Sequence, residues 1–184
     1  MDPDRLPSSS LAFLRELGVG ETRHNSNADL LPHLIGTRDL LVEWGARPAL
    51  CDAGLCHSVY GTEYFSTPTL TDGQRDRLRG VIGDEAEALV WLWCFGRRHT
   101  LVVPEQAHSA SRLKDRRSDE WIAITALQVE DFVNLWIADT LEQLPRVPER
   151  EVATARVLTR HAPTALPGAR DALERVVAAY SGLR

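Results

Sequence analysis

The sequence has no long hydrophobic run, only three cysteines among its 184 residues and a single lysine. No apolar stretch approaches the roughly 20 residues that span a bilayer, so no transmembrane helix is expected. The polar and acidic start, MDPDRLPSSS, is unlike a signal peptide. Cys51, Cys56 and Cys94 form no CxxC pair and lie among apolar neighbours, which is typical of buried thiols in a reducing compartment. These absences predict a cytoplasmic protein with no membrane partner and no disulfide.

Basic side chains are also in the minority. The chain has 21 Lys and Arg against 26 Asp and Glu, a net charge of −5, whereas nucleic-acid-binding proteins usually carry a basic face. We therefore expect no nucleic-acid partner. Hydrophobic residues make up 43% of the chain, which is enough for a folded core, and the length fits one domain.

Strand-type alternation of apolar and polar residues is confined to residues 100–103. Elsewhere apolar residues recur at helical spacing, and proline and glycine mark the ends of the segments. The polar segment 97–117 is expected to form a loop or a mobile flap. The predicted helices cover residues 11–18, 28–44, 48–59, 71–82, 84–94, 119–141, 149–161 and 169–180. The predicted fold class is therefore all-α, a single-domain helical bundle.

Histidine is concentrated in one stretch of the chain. His24, His33 and His57 fall within residues 24–65, inside or beside two predicted helices, and imidazole is the commonest metal ligand. Asp131 lies on an apolar helix face, where an unpaired carboxylate would cost several kcal/mol and needs a metal ion or a basic partner. Two histidines and one carboxylate on one side of an ion form the facial triad of non-haem iron(II) enzymes. These four residues are the predicted metal ligands, and Glu130 or Glu63 is the next choice of carboxylate.

The turn after His57 supplies candidate catalytic groups. Tyr60 and Glu63 are predicted to transfer protons, although the turn at Gly61 would equally serve to end the helix. The side chains predicted to bind substrate or to orient the ligands are Ser58, Thr62, Arg97 and Asn134. A solvated charge is the alternative for Arg97. Solvent-facing positions are favoured for His99 and His108, and a structural role for His161.

The order of these residues resembles the pattern of the HD-domain superfamily. That pattern has a histidine on an early helix, a His-Asp pair ending the next helix and a late aspartate on a long helix; His33, then His57 with Ser58, then Asp131 correspond here. The spacing of the two histidines is closer to the inositol-oxygenase-like branch. The segments FLRELG, LLPHLIGT, LLVEWG, LCDAGLCHSVYGTEYF and IGDEAEALV also resemble a group of small uncharacterised bacterial proteins with the pattern LLxHLxGT…AGLxHSxYGTE. The resemblance covers about residues 11–140.

The resemblance implies an HD-like metal-binding domain, with one departure. Ser58 stands where two-metal HD enzymes have a bridging aspartate, so a mononuclear centre is expected. The resemblance to the oxygenase branch implies a non-haem iron oxygenase acting on a small molecule, although the same ligands also suit Mn, Co and Zn. The alternatives are a metal-dependent hydrolase or lyase, similar to HD phosphohydrolases, and a metal-free protein that binds a small molecule.

Two prolines divide the chain near its end. Pro145 and Pro148 break the long predicted helix, so we expect an HD-like metal-binding domain over residues 1–144. Residues 145–184 are expected to form a C-terminal helical extension packed on the same domain. Apolar residues in this extension, such as Leu166 and Val177, could form a homodimer interface.

Overall fold

The computed structural model describes residues 7–19, 30–104 and 110–181. Within these ranges the chain forms seven α-helices and a three-stranded sheet. The helices are α1 (Ser8–Glu16), α2 (Leu30–Glu43), α3 (Pro48–Cys56), α4 (Arg75–Phe95), α5 (Ala126–Gln143), α6 (Pro148–Leu158) and α7 (Pro167–Ala179). The strands are β1 (Gly96–Val102), β2 (Ser111–Asp115) and β3 (Trp121–Ile124), and short 3-10 helices cover Asp72–Gln74 and Thr159–Thr164.

Helix α5 forms the centre of the bundle. It is buried along most of its length, and it packs against α2 and α3 on one side and α6 and α7 on another. Leu34 of α2, Leu55 of α3, Trp93 of α4 and Phe132 of α5 are all buried in one hydrophobic core. Each such side chain contributes roughly 1.5–3 kcal/mol when it is removed from water. The core therefore fixes how α2, α3 and α4 sit around α5.

Most of the predicted helices occur in the described structure, with two changes. The predicted helix 119–141 begins only at Ala126, because Trp121–Ile124 form β3 and the capping box at Thr125 starts the helix. The predicted segments 71–82 and 84–94 are parts of α4, which is interrupted at Gly83 (φ +82°). A side chain with a Cβ rarely adopts such a positive φ, and glycine does so at little energetic cost. The glycine that suggested two helices therefore produces a kink within one element.

The all-α prediction is wrong for the segment 97–117, where the described residues form most of an antiparallel sheet in the order β1-β2-β3. Each strand buries only occasional side chains, such as Leu101, Leu113 and Ile124, so charged residues hide the alternation. Gly96 begins β1 where a Cβ would lie 2.3 Å from Leu113 Cδ1 and 2.5 Å from the Leu92 carbonyl oxygen. The fold is thus a helical bundle with a small sheet inserted between α4 and α5.

The segment after residue 144 shares the same core. Ala155, Leu158, Ala169 and Leu173 are buried, and Leu166 and Val177 pack partly buried against that core. The division at residue 144 and the homodimer remain predictions. All three cysteines are buried and free, as expected. Among residues 7–19, 30–104 and 110–181, no helix combines the length and hydrophobicity that crossing a membrane requires.

A buried carboxylate joins α4 to the turn after α3. Glu87 is fully buried and accepts hydrogen bonds from Arg75 Nε at 2.6 Å, from Arg75 Nη2 at 2.7 Å and from the Tyr60 hydroxyl at 3.0 Å. Burial alone would raise the pKa of Glu87, but these hydrogen bonds and the Arg75 charge hold it below its usual range. The fold therefore depends on the ionised form of Glu87.

We expect Glu87→Gln to lower the free energy of unfolding by about 2 kcal/mol at neutral pH, because it leaves the Arg75 guanidinium without its buried counter-charge. For a chain of this length, the melting temperature would fall by roughly 4–8 °C. The difference from wild type should shrink in acid, since a depressed carboxyl pKa stabilises the fold only above that pKa. Thermal unfolding against pH measures this, with the highly exposed Asp84→Asn on the same helix as the control. Equal losses in the two variants would contradict it.

Candidate metal centre

Three side chains from three helical segments meet in the centre of the bundle. His33 lies on α2, His57 follows the last residue of α3, and Asp139 lies on α5; all three are buried. His33 Nε2 is 3.2 Å from His57 Nε2 and 3.2 Å from Asp139 Oδ1, and His57 Nε2 is 3.3 Å from the same oxygen. The three atoms therefore form a nearly equilateral triangle. We call these residues the His-His-Asp cluster.

The local sequence explains how each histidine reaches this position. On α2, His33 lies on the same buried face as Leu30, Leu34 and Leu41, because residues three, four and seven apart share one side of a helix. His57 occupies the C-terminal end of α3, and its main chain still has helical angles. Gly61, with φ +71°, then turns the chain back over the cluster.

The outer nitrogen of each imidazole is held by an acceptor. His57 Nδ1 donates to the Gly54 carbonyl oxygen at 2.7 Å, and His33 Nδ1 donates to the Glu142 carboxylate, which also pairs with Arg146. A carbonyl oxygen can only accept, so the Nδ1 of His57 must carry its hydrogen. Both Nε2 atoms then present lone pairs toward the Asp139 oxygen. Three electron-rich atoms this close need a proton or a cation between them.

In the absence of an ion, a proton on His33 meets this need. Burial opposes the charge, but the hydrogen bonds to Asp139 and Glu142 outweigh it and raise the pKa of His33 to about 9. Burial lowers the pKa of His57. The pKa of Asp139 lies well below its usual range, since the hydrogen bond from His33 and the Arg98 charge overcome the effect of burial. The cluster therefore holds an anionic carboxylate and one imidazolium.

The same triangle fits a metal ion. Nitrogen and oxygen ligands lie about 2.0–2.2 Å from zinc and similar ions. The separations of 3.2–3.3 Å among the three atoms are short enough for one such ion to contact all of them. His33, His57 and Asp139 would then be its three protein ligands. Nδ1 hydrogen bonds to a carboxylate and to a main-chain carbonyl are the contacts that orient metal-ligating histidines.

A pocket with several charged and hydroxyl side chains in its wall opens beside the cluster. Its volume is about 150 Å³, and its walls include His57, Asp139, Arg98 of β1 and Arg150 of α6. Arg98 Nη1 lies 3.6 Å from Asp139 Oδ2, and Gln143 Nε2 donates to Asp139 Oδ1 at 3.0 Å. The carboxylate is therefore fixed from two sides, with one oxygen toward the histidines.

The predicted carboxylate ligand is corrected by this geometry. Asp131 accepts two hydrogen bonds from the Arg47 guanidinium, one of them 3.0 Å long, and this basic partner supplies what its burial requires. Asp139 takes the place beside the histidines. The two aspartates are eight residues apart on α5, so their main chains are separated by about 12 Å along the helix axis.

Other predicted site residues are distributed around the fold. Ser58 and Thr62 line the pocket, whereas Tyr60 belongs to the Glu87 network described above. Thr62 Oγ1 also accepts from the main-chain amides of Tyr64 and Phe65, so it shapes the turn.

Three further predicted residues contact other partners. Glu63 Oε1 lies 3.7 Å from exposed His99, and Arg97 forms a surface ion pair with Asp119 at 2.8 Å. Asn134 accepts from the Leu166 main-chain amide at 2.9 Å and thereby ties α5 to the start of α7, so it orients no ligand.

His24 and His108 lie outside the described residues. His161 is buried, with its ring 6.4 Å from that of Trp136, which agrees with a structural role.

Asp139 and Glu142 are the residues of this region that sequence reasoning missed, and the burial of Arg98 was not expected, since a solvated charge was the favoured interpretation of Arg97 and Arg98. Asp139 follows Leu135 and Ile137 on an apolar helix, so it carried the same signal as Asp131: a carboxylate among core residues. Glu142 lies three residues further on, which places it near the same helix face. Arg98 stood in the segment predicted to be a loop, and nothing in its neighbours indicated burial.

Comparison with known proteins gives one family match. Residues 13–98, slightly under half of the chain, are similar to a family described as "Domain of unknown function (DUF6817)". No curated protein and no solved structure gives a significant match. The matched segment includes His33, His57 and Arg98 but ends before Asp139.

In chelator-treated protein, we expect His33 to titrate with a pKa near 9, because Asp139 and Glu142 favour its charged form. This value exceeds the ordinary 6.5, so its contribution to stability is complete below about pH 6.5 and is lost as the pH rises through 9. Imidazole proton NMR against pH measures the titration. Glu142→Gln should lower the pKa of His33, and Glu130→Gln, exposed on the same helix, should not. A His33 pKa at or below 6.5 would contradict this.

Proposed function

We propose that the protein is a metal-dependent enzyme acting on a small molecule, with one ion held by His33, His57 and Asp139. The observation that carries the proposal is that two histidine Nε2 atoms and one Asp139 oxygen meet at one point. The Nδ1 atom of each histidine is already hydrogen-bonded to another group. A structural ion pair needs only one imidazole, whereas two imidazoles oriented by separate Nδ1 acceptors are typical of metal ligands. The pocket lined by His57 and Asp139 would give a substrate access to the ion.

Each neighbouring side chain has a role in this proposal. Glu142 orients His33, and Arg98 holds the outer oxygen of Asp139 so that the carboxylate presents a single oxygen. The Trp93 ring lies edge-on to His57, with centroids 5.9 Å apart, and keeps water from that side. Ser58 and Thr62 provide hydroxyl groups at the pocket wall. When bound, iron would supply redox chemistry with dioxygen, and zinc or manganese would supply Lewis acidity.

A mononuclear iron oxygenase is the first candidate for the reaction. Two histidines and one carboxylate on one side of an ion form the ligand set of non-haem iron(II) oxygenases. Ser58 stands where a second metal would need a carboxylate, which supports a single ion. Manganese and cobalt suit the same ligands.

A metal-dependent hydrolase is the second candidate, and the pocket wall favours it. Arg98 and Arg150 both line the pocket, and guanidinium groups bind phosphate oxygens well. Three protein ligands with an open position are equally the arrangement of catalytic zinc sites.

The metal site can be tested with two aspartates of one helix. We expect wild type, purified without a His tag, to contain about one metal ion per chain. Asp139→Asn and His57→Ala should weaken metal binding by about 100-fold or more. Loss of a residue that only hydrogen-bonds to a ligand lowers metal affinity 10–100-fold, and loss of a ligand itself should cost more. Asp131→Asn should keep the metal and lose stability through Arg47. Elemental analysis gives the content, and circular dichroism checks that the helices remain.

Two results would count against the site. Full metal occupancy in Asp139→Asn would remove that residue from the ligand set. A wild-type chain that takes up no iron, manganese, cobalt or zinc would leave a metal-free binding protein as the explanation for the pocket.

The two reactions are separated by dioxygen consumption. If the first candidate is correct, iron-loaded protein should consume dioxygen with one member of a panel of small organic acids, and His57→Ala should not. If the second is correct, zinc- or manganese-loaded protein should release phosphate from phenyl phosphate without dioxygen. Asp131→Asn is the control for both assays, since it alters the same helix away from the cluster. Activity that persists in His57→Ala would contradict both candidates.

A further inference from the structure

The C-terminal segment forms one wall of the pocket beside the cluster. Arg150, Glu151 and Thr154 of α6 face His57 and Asp139 across it. The pocket is therefore completed by the part of the chain that was expected to be an extension. Its volume of about 150 Å³ is close to that of a cavity that holds benzene. A molecule of up to roughly ten non-hydrogen atoms fits, and a nucleotide does not.

Arg98 presents a buried guanidinium group to this pocket. Its residue is 6% exposed, and within the described part of the chain its Nε has no hydrogen-bond partner. The guanidinium carbon lies 3.7 Å from the centroid of the Trp93 ring, which fixes the plane of the group. Asp139 is its nearest anion, at 3.6 Å, beyond hydrogen-bonding distance and turned toward the histidines. A buried guanidinium with open donors is a binding position for an anion.

Arg150 adds a second cation at the mouth of the pocket. It donates to Gln143 Oε1 at 2.8 Å and to Glu151 Oε1 at 2.5 Å, so its head group is positioned although it is half exposed. Burial raises the pKa of Glu151, and its carboxylate offsets the charge of only one of the two arginines, since it pairs with Arg150. With Asp139 occupied by the ion, the walls of the pocket carry an excess of positive charge.

We propose that this pocket binds a small organic anion, with its carboxylate or phosphate oxygens on Arg98 and Arg150 and its body beside the His-His-Asp cluster. The inference rests on the proposed function in one respect, since the bound anion would be the substrate of that centre. It assigns α6 the role of selecting the substrate by charge and size.

The test compares two probes of similar size and different charge. Isothermal titration calorimetry of the full chain should detect benzoate binding, with benzyl alcohol at least tenfold weaker. Arg150→Gln should weaken benzoate binding about tenfold, the usual loss for one charge-assisted hydrogen bond. Arg98→Gln should weaken it further. The matched control is Arg156→Gln, which removes the same charge from an exposed position of α6 and should leave binding unchanged.

The calorimetry can support or overturn the anion-binding proposal. Equal affinity for benzoate and benzyl alcohol, or unchanged benzoate binding in Arg150→Gln, would overturn the proposal even if Arg98→Gln failed to fold. Binding of inorganic phosphate in preference to benzoate, with the same arginine dependence, would support it and identify phosphate as the group bound.

Titrations with metal-loaded and chelator-treated protein separate the two proposals. Arginine-dependent binding in a chain that takes up no metal would keep the anion pocket and reject the metal enzyme, and metal uptake without anion binding would do the reverse.

Discussion

The architecture of the bundle depends on a requirement for positive charge at one buried point. Two imidazole nitrogens and a carboxylate oxygen lie within 3.3 Å of one another, and without a proton or an ion their lone pairs would repel. The surrounding contacts hold the three atoms in place. Gly54 and Glu142 orient the imidazole rings, and Arg98 lies beside the outer oxygen of the carboxylate. A core built only for stability would fill the same volume more safely with apolar side chains. This cost to the core supports the proposal that the cluster holds a ligand.

The small sheet is part of this arrangement. Arg98 lies on β1, and its guanidinium group lies between the Trp93 ring and Asp139. Pairing of β1 with β2 supplies the main-chain hydrogen bonds that let a charged segment pass close to the core. A mobile flap in the same place could not hold a cation there. The sheet inserted between α4 and α5 therefore places a positive charge, Arg98, in the wall of the pocket.

The sequence predicted the two histidines but could not identify their carboxylate. Helical spacing placed His33 on a buried face, and the turn after α3 marked His57. Asp131 and Asp139 carried the same local signal, since both stand among core residues of one helix. The choice between them depends on Arg47, which is 84 positions before Asp131 and reaches it only through the packing of α3 on α5. A contact between residues so far apart in sequence produces no periodic pattern of apolar residues. The contact of Arg98 with Asp139 is hidden in the sequence for the same reason.

The residues around the cluster come from two different parts of the chain. The segment similar to the domain family, residues 13–98, provides both imidazoles and Arg98, but it cannot close the site. Asp139 comes from α5, and the outer wall of the pocket comes from α6. Helix α6 is linked to the cluster, since Arg150 donates to Gln143 Oε1 and Gln143 donates to Asp139 Oδ1. In the proposed enzyme, α2, α3 and α5 would hold the ion, and β1 and α6 would bind the substrate beside it.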